Sequence, residues 1–347
     1  MSVPVLPRIS RLVVADADAA LSQDEVLSLL GLEEQEFAQG LFGRSAVATR
    51  SLSLLTVAPD STLQGRSARI EDRLFDEAVD LVERLEIDPT QIGTVVTASL
   101  YSLGGPTLAH RLVERFRMDP ATDKYHVVGV GCASAVPLTR LVSQSLTAHP
   151  GKKGLIVAAD IMSGMLMRST PNDHRAKTVG SALFGDGFAA AVIENTPGPQ
   201  NGTGEAAVVA SQVHQIEGTL GAVRMELSDD DSYLHLDRDL PDLAAAGLPE
   251  LVDAFLRSGG LSRADVDHWI VHPGGPRILD RVREALDLSH AQVQDSYDVL
   301  ASRGNVGTAS IFYVLNETLR RRPGHGQRGL MVTIGPGITV GLMLLEF

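Results

Sequence analysis

Strand-like apolar runs alternate with helical patterns along this 347-residue chain, and that alternation restricts it to sheets covered by helices. Ile92 to Ala98, Leu155 to Ala159, Ala206 to Val213, His268 to Val271, Gly329 to Ile334 and Thr339 to Phe347 read as strands. A further strand, ISRLVV, precedes helical segments from Ser22 to Leu30 and from Glu33 to Phe42. Ile70, Leu74, Ala78, Leu81, Val82 and Leu85 share one face of the clearest amphipathic helix. Leu108 to Phe116, Leu248 to Leu256, Pro276 to Leu286 and Thr308 to Arg320 supply further helices. The expected class is α/β. The length exceeds one typical core, and the weakly hydrophobic stretch Asn195 to Gly204 marks the expected boundary between halves 1–198 and 199–347. The second half repeats the plan of the first without a visible sequence repeat.

The sole cysteine sits in HVVGVGCASAVPLT, His126 to Thr139. Val127 to Gly131 reads as a buried strand, and Leu138, Leu141, Val142 and Leu146 then recur at helical spacing, with Pro137 acceptable in the first turn. Cys132 is therefore expected at a strand-to-helix turn. There the helix dipole and backbone N–H groups would lower its pKa and raise its thiolate fraction. The competing reading is a small buried hydrophobe.

Composition narrows the function. Acidic residues outnumber basic ones 43 to 30, a net charge of −13, which argues against a nucleic-acid partner. No segment reaches the unbroken apolar length of a membrane span, and MSVPVLPRIS does not resemble a secretory signal, so the expected location is the cytoplasm. One cysteine excludes an intrachain disulfide and disfavours a thiolate metal site.

Three glycine-bearing segments join the cysteine turn as candidates: VHPGGPRILD, SRGNVGTAS and TIGPGITVG. Each ends a strand or opens a helix where the backbone can be approached closely. His272 follows the strand HWIV, and Asn305 follows Gly304 just before a helix. Taken singly, His272 reads as a satisfied core or turn histidine and Asn305 as a helix N-cap.

Together these segments resemble the type III polyketide synthases, the chalcone synthase-like enzymes of the thiolase superfamily, over nearly the whole chain. GVGCASA is similar to the nucleophile turn, ALFGDG is shared intact, HPGGPRILD follows the histidine motif, RGNVGTAS the asparagine motif and GPGITV the closing loop. The separations of 140 residues from Cys132 to His272 and 33 from His272 to Asn305 also fit this family better than its ketosynthase III relatives.

The resemblance implies a thiolase-like fold of two similar halves, each a mixed sheet covered by helices. Cys132, His272 and Asn305 would meet in a buried cavity, with acyl-CoA and malonyl-CoA as substrates and a homodimer as the assembly. Cys132 would carry the acyl chain, His272 and Asn305 would stabilise the enolate formed on decarboxylation, and His272 would pair with the thiolate. The reaction needs no metal or other cofactor, and no HExxH or comparable ligand cluster is present.

Around that centre the resemblance implies a cavity mouth at Phe184, a cavity position at Ser99 and a coenzyme A phosphate contact at Arg44, with Arg50 a nearby spare. It also shows departures. Leu234 stands where relatives carry a second gatekeeping phenylalanine, and Gly307 where many have serine. Both changes predict a roomier, more apolar pocket for medium or branched aliphatic starters. Two other readings stay open: an acyltransferase that loads Cys132 without elongation, and a catalytically silent acyl-binding subunit.

Overall fold

The computed structural model describes residues 5–16, 20–55, 62–164, 175–197, 205–227 and 232–347. Its centre is one nine-stranded sheet. In chain order the strands are β1 (Val5–Val14), β2 (Ile92–Ala98), β3 (Asp123–Val127), β4 (Lys153–Asp160), β5 (Gly187–Pro197), β6 (Ala206–Gln215), β7 (His268–Val271), β8 (Arg328–Gly335) and β9 (Thr339–Glu346). Across the sheet they run β7-β8-β9-β6-β1-β5-β4-β2-β3.

The pairing repeats. On one side β2 is parallel to β4, β4 antiparallel to β5, and β5 antiparallel to β1. On the other, β7 is parallel to β8, β8 antiparallel to β9, and β9 antiparallel to β6. Antiparallel contact of Arg8 and Ile9 with Ala207 and Ala206 joins the two sets. The repeat absent from the residues is thus present in the topology.

Period-two alternation explains the layers. In β4, Leu155, Val157 and Ala159 face one hydrophobic cluster, while Ile156 and Ala158 face another. The first cluster is capped by helix α1 (Leu63–Arg84), whose Ile70, Leu74, Ala78 and Leu81 are fully buried, the face read from the sequence. The second contains two helices packed between the sheet's two parts: α2 (Ala135–Ser145) through Val136, Leu138 and Val142, and α3 (Ser310–Arg320) through Ile311, Phe312, Val314 and Leu315. A third cluster covers the far face of β7 to β9. Each fully buried Leu or Val here is worth about 1.5–3 kcal/mol, so these two helices cannot shift cheaply.

Two expectations need correction. The strand before the cysteine is Asp123–Val127, not the buried run Val127 to Gly131. It is the edge strand, so Tyr125 stays exposed, and the positive φ of Gly129 and Gly131 ends its extended geometry. The expected linker Asn195 to Gly204 overlaps strand β5, which runs to Pro197; residues 198–204 lie outside the described residues. No helix among the described residues is long and apolar enough to cross a membrane.

Candidate active site

The topological repeat places two turns face to face. Cys132 lies in a one-turn helix, Gly131–Ala133, immediately before α2, and α2 leads to β4. Asn305 lies just before a one-turn helix, Gly307–Ala309, that opens α3, and α3 leads to β8, the counterpart of β4. The sulfur of Cys132 is 3.7 Å from Oδ1 of Asn305 and donates to it.

The Asn305 amide has a fixed orientation. Its Oδ1 also accepts from the Gly307 N–H at 3.0 Å and the Ser310 hydroxyl at 3.1 Å, while Nδ2 donates to the Gly274 carbonyl at 3.4 Å. A flipped amide would point its NH2 at two donors, so the network decides which way it faces. The long Nδ2 contact leaves a donor that a better acceptor can take over. The backbone of Asn305 is held as firmly: its N–H donates to Leu183, its carbonyl accepts from Gly185, and it bridges Phe184. The ALFGDG and RGNVG segments are thereby one structural unit.

His272 continues β7, its N–H donating to Val332. Its side chain is buried, and the ring lies against Gly274, the residue whose carbonyl Asn305 contacts. Among the described residues, its Nδ1 has no hydrogen-bond partner. The closing loop adds the remaining wall: Gly335 packs so tightly on the Ala133 backbone that any side chain there would collide.

The electrostatics differ from the sequence expectation. Although Cys132 is only partly buried as a residue, its sulfur is enclosed, and that burial pushes the thiol up to about 12. The Asp160 carboxylate pushes the same way, and the Asn305 hydrogen bond opposes it. Burial also pushes the His272 imidazole down to about 3. Both shifts favour the neutral thiol and the neutral imidazole over their charged forms. Desolvation outweighs the one-turn helix start.

The remaining expected residues divide. Phe184 is buried in the same cluster as Leu100 and Met162, against which Leu234 packs half-buried from the strand Ser232–Leu236. Ser99 is fully buried with its hydroxyl committed to Asp160 at 3.2 Å. Arg44 is exposed beyond the helix Glu36–Phe42. Arg50 is no spare phosphate ligand, because it is fully buried and its guanidinium donates to the Phe184 carbonyl at 3.1 Å and to Gln23 at 2.7 Å.

Gly307 also needs correction, since it opens no space in the pocket. Its φ is +63°, and a Cβ there would overlap the Asp160 carboxylate and the Met162 methyl. The glycine serves backbone conformation and close approach.

Two buried carboxylates were missed by the sequence reading. Asp186 accepts from the backbone and hydroxyl groups of both Ser53 and Ser163, and burial raises its pKa. Asp160 ends β4 beside the site. The available signal was a lone Asp closing the apolar run LIVAAD. Two clefts of about 680 and 670 Å³ share Asp16, Arg84 and Tyr313, and neither contains Cys132, His272 or Asn305. Among the described residues, no group of three His, Cys, Asp or Glu side chains is placed to hold a metal.

Comparison with known proteins agrees with this geometry. Residues 12–256 match the family model "FAE1/Type III polyketide synthase-like protein", and residues 207–347 match "Chalcone and stilbene synthases, C-terminal domain". The chain belongs to the type III polyketide synthases. It is 30% identical to a 3,5-dihydroxyphenylacetyl-CoA synthase of Amycolatopsis balhimycina over 99% of this chain and 93% of that one. It is also 30% identical to a 1,3,6,8-tetrahydroxynaphthalene synthase of Streptomyces peucetius subsp. caesius, over 79% and 72%. Among solved structures, PKS-I from the brown alga Ectocarpus siliculosus superposes with a TM-score of 0.87 at 26% identity, covering 99% and 98% of the two chains. This type III polyketide synthase is therefore an acyltransferase with a thiolase-like fold, as the five motifs implied.

Proposed function

We propose that this polyketide synthase loads an acyl starter from coenzyme A onto Cys132 and extends it with malonyl-CoA by decarboxylative Claisen condensation. The observation that carries the reading is the 3.7 Å contact between the Cys132 sulfur and an Asn305 amide held in one orientation. Because thiol and imidazole are both neutral, loading begins with transfer of the thiol proton to His272 as the sulfur attacks the starter thioester. The C–S bond to coenzyme A breaks, coenzyme A leaves as a thiolate that solvent protonates, and the acyl group stays on Cys132 while His272 keeps the proton.

Malonyl-CoA then binds with its thioester oxygen facing the N–H groups of His272 and Asn305. Loss of carbon dioxide leaves an enolate whose oxygen these donors stabilise, within walls that exclude water. The buried ring of Phe184 disfavours a retained carboxylate. The enolate carbon attacks the acyl carbonyl, the new C–C bond forms, the C–S bond to Cys132 breaks, the departing thiolate takes back the proton held by His272, and the lengthened chain departs on coenzyme A.

Arg44, exposed beside this half, is the proposed phosphate contact for coenzyme A. Leu234, packed against the cluster that holds Phe184, is the proposed wall that admits medium or branched aliphatic starters. The assembly proposed is a homodimer in the cytoplasm, which sedimentation and fractionation test directly.

Mass spectrometry provides the main test. A starter acyl-CoA should leave one adduct on the Cys132 peptide, Cys132→Ala should abolish it, and malonyl-CoA should release carbon dioxide. Adduct formation without carbon dioxide release would instead assign a non-elongating acyltransferase. Neither signal would leave a silent acyl-binding subunit.

A further inference from the structure

Asp160 is a fully buried carboxylate that the condensation mechanism does not use. Its Oδ1 accepts from the Leu100 N–H at 2.6 Å and the Ser99 hydroxyl at 3.2 Å, both just beyond β2. Its Oδ2 accepts from the Thr308 N–H at 2.7 Å and the Thr308 hydroxyl at 2.8 Å. One side chain thus spans residues from both parts of the sheet.

Each partner leads directly to the reacting groups. Thr308 lies in the one-turn helix that starts with Gly307, whose N–H orients Asn305 Oδ1. Leu100 packs on Gly131, the residue before Cys132, its Cδ2 standing 3.3 Å from where a Cβ would be. These four hydrogen bonds all come from neutral donors. A buried charge is costly, and here four donors, two of them backbone N–H groups, offset that cost and hold the carboxylate in place.

We propose that Asp160 is a positioning residue for the condensation, a charged clamp that fixes the Asn305 turn against the Cys132 turn. This rests on the reading of Cys132 and Asn305 given above. The electrostatics point the same way: burial pushes the Asp160 carboxyl up to about 6, and its negative charge raises the thiol. The other titratable group at the site, His272, is held neutral by burial.

Asp160→Asn separates the two effects. It preserves shape, removes the charge, and turns an NH2 towards donors on one side of the clamp. At pH 8, iodoacetamide alkylation of Cys132 should be about tenfold faster than in wild type, because a like charge has gone and the thiolate fraction rises. Malonyl-CoA decarboxylation should fall about tenfold or more in kcat with KM little changed, because the Asn305 turn is released. Opposite responses of the two readouts support the clamp. An unchanged alkylation rate at pH 8, or unchanged decarboxylation, overturns it.

Thr308→Val guards against a variant that does not fold. It keeps the charge and the Thr308 backbone donor but deletes the hydroxyl, so the alkylation rate at pH 8 should stay near wild type while decarboxylation declines. Decarboxylation at the wild-type rate would overturn the proposal. Wild-type enzyme that releases no carbon dioxide refutes the condensation reading, while the Asp160→Asn shift in alkylation still tests the charge.

Discussion

Asn305 Oδ1 and the sulfur of Cys132, 173 residues apart in the chain, lie 3.7 Å apart because two equivalent turns of a repeated topology face each other. In this hydrogen bond the thiol is the donor, since the amide oxygen can only accept. It also means that Asn305 serves two states. Its oxygen holds the resting thiol, while its nitrogen is turned towards Gly274, against which the His272 ring packs.

Ser310 makes that orientation dependable, and removing it should separate the two half-reactions. Its buried hydroxyl donates to Asn305 Oδ1 and accepts the Val306 N–H at 2.9 Å. Ser310→Ala should cost about 1–3 kcal/mol of stability by leaving that N–H unpaired. Decarboxylation should fall about tenfold, with acyl loading on Cys132 much less affected. Parallel single-turnover loading and carbon dioxide assays check this; equal losses in both would show that Asn305 orientation does not distinguish the steps.

Much of this arrangement was legible in the residues, and the failures have identifiable causes. The α/β alternation and the Ile70 to Leu85 face could be read because a 3.6-residue period and a period of two are local properties. The five motifs pointed to the family because their glycines and polar tips occur in a fixed order. The edge position of Asp123–Val127 was hidden, since strand order depends on distant pairings. The low thiol pKa expected at a helix start gave way to burial and to Asp160, neither of which neighbouring residues reveal. Arg50 was misjudged for a related reason: an arginine in a polar-looking stretch carries no mark that Phe184 and Gln23 will enclose it.

The His272 imidazole makes acid stability a test of its burial. Its folded value, about 3, lies below the ordinary 6.5, so between those pH values the unfolded chain binds a proton that the native ring refuses. The stabilisation is complete above about 6.5 and is lost as pH falls towards 3. Asp160 acts in the opposite sense: its folded value of about 6 exceeds the ordinary 3.8, so protonation favours the fold as pH falls from 6 to 4. Urea midpoints measured from pH 7 to 4 should fall less in His272→Gln than in wild type, and more in Asp160→Asn. A His272→Gln curve parallel to wild type would mean that the ring is solvated.

Arg50 should behave as a support for Phe184 rather than as a ligand for coenzyme A. Burial lowers its guanidinium to about 9, with Asp186 opposing the shift. Arg50→Met keeps the stem but strands the Phe184 carbonyl and the Gln23 amide, at about 1–3 kcal/mol for each unsatisfied group. Thermal denaturation should show a lower Tm, while KM for acyl-CoA in the surviving folded enzyme changes less than threefold. An unchanged Tm with a raised KM would return Arg50 to the phosphate site.

Gly307 and Leu234 make opposite predictions about starter choice, although both looked like vacated space in the sequence. At Gly307 an added methyl meets the Asp160 carboxylate and Met162, and the backbone has a left-handed φ of +63°. Gly307→Ala should therefore lower Tm and slow every starter alike, since it disturbs the clamp on the Asn305 turn and not the acyl chain. Leu234 is half-buried and packs with the cluster holding Phe184, so a ring there competes with substrate for apolar volume. Each substrate methylene buried is worth about 0.8 kcal/mol, and displacing two of them shifts preference about tenfold. Leu234→Phe should thus favour acetyl-CoA over a medium-chain acyl-CoA by that factor with Tm nearly unchanged. Product mass spectra from paired-starter competitions decide the matter: selective loss of long starters in Gly307→Ala, or none in Leu234→Phe, would reverse the assignment of the pocket wall.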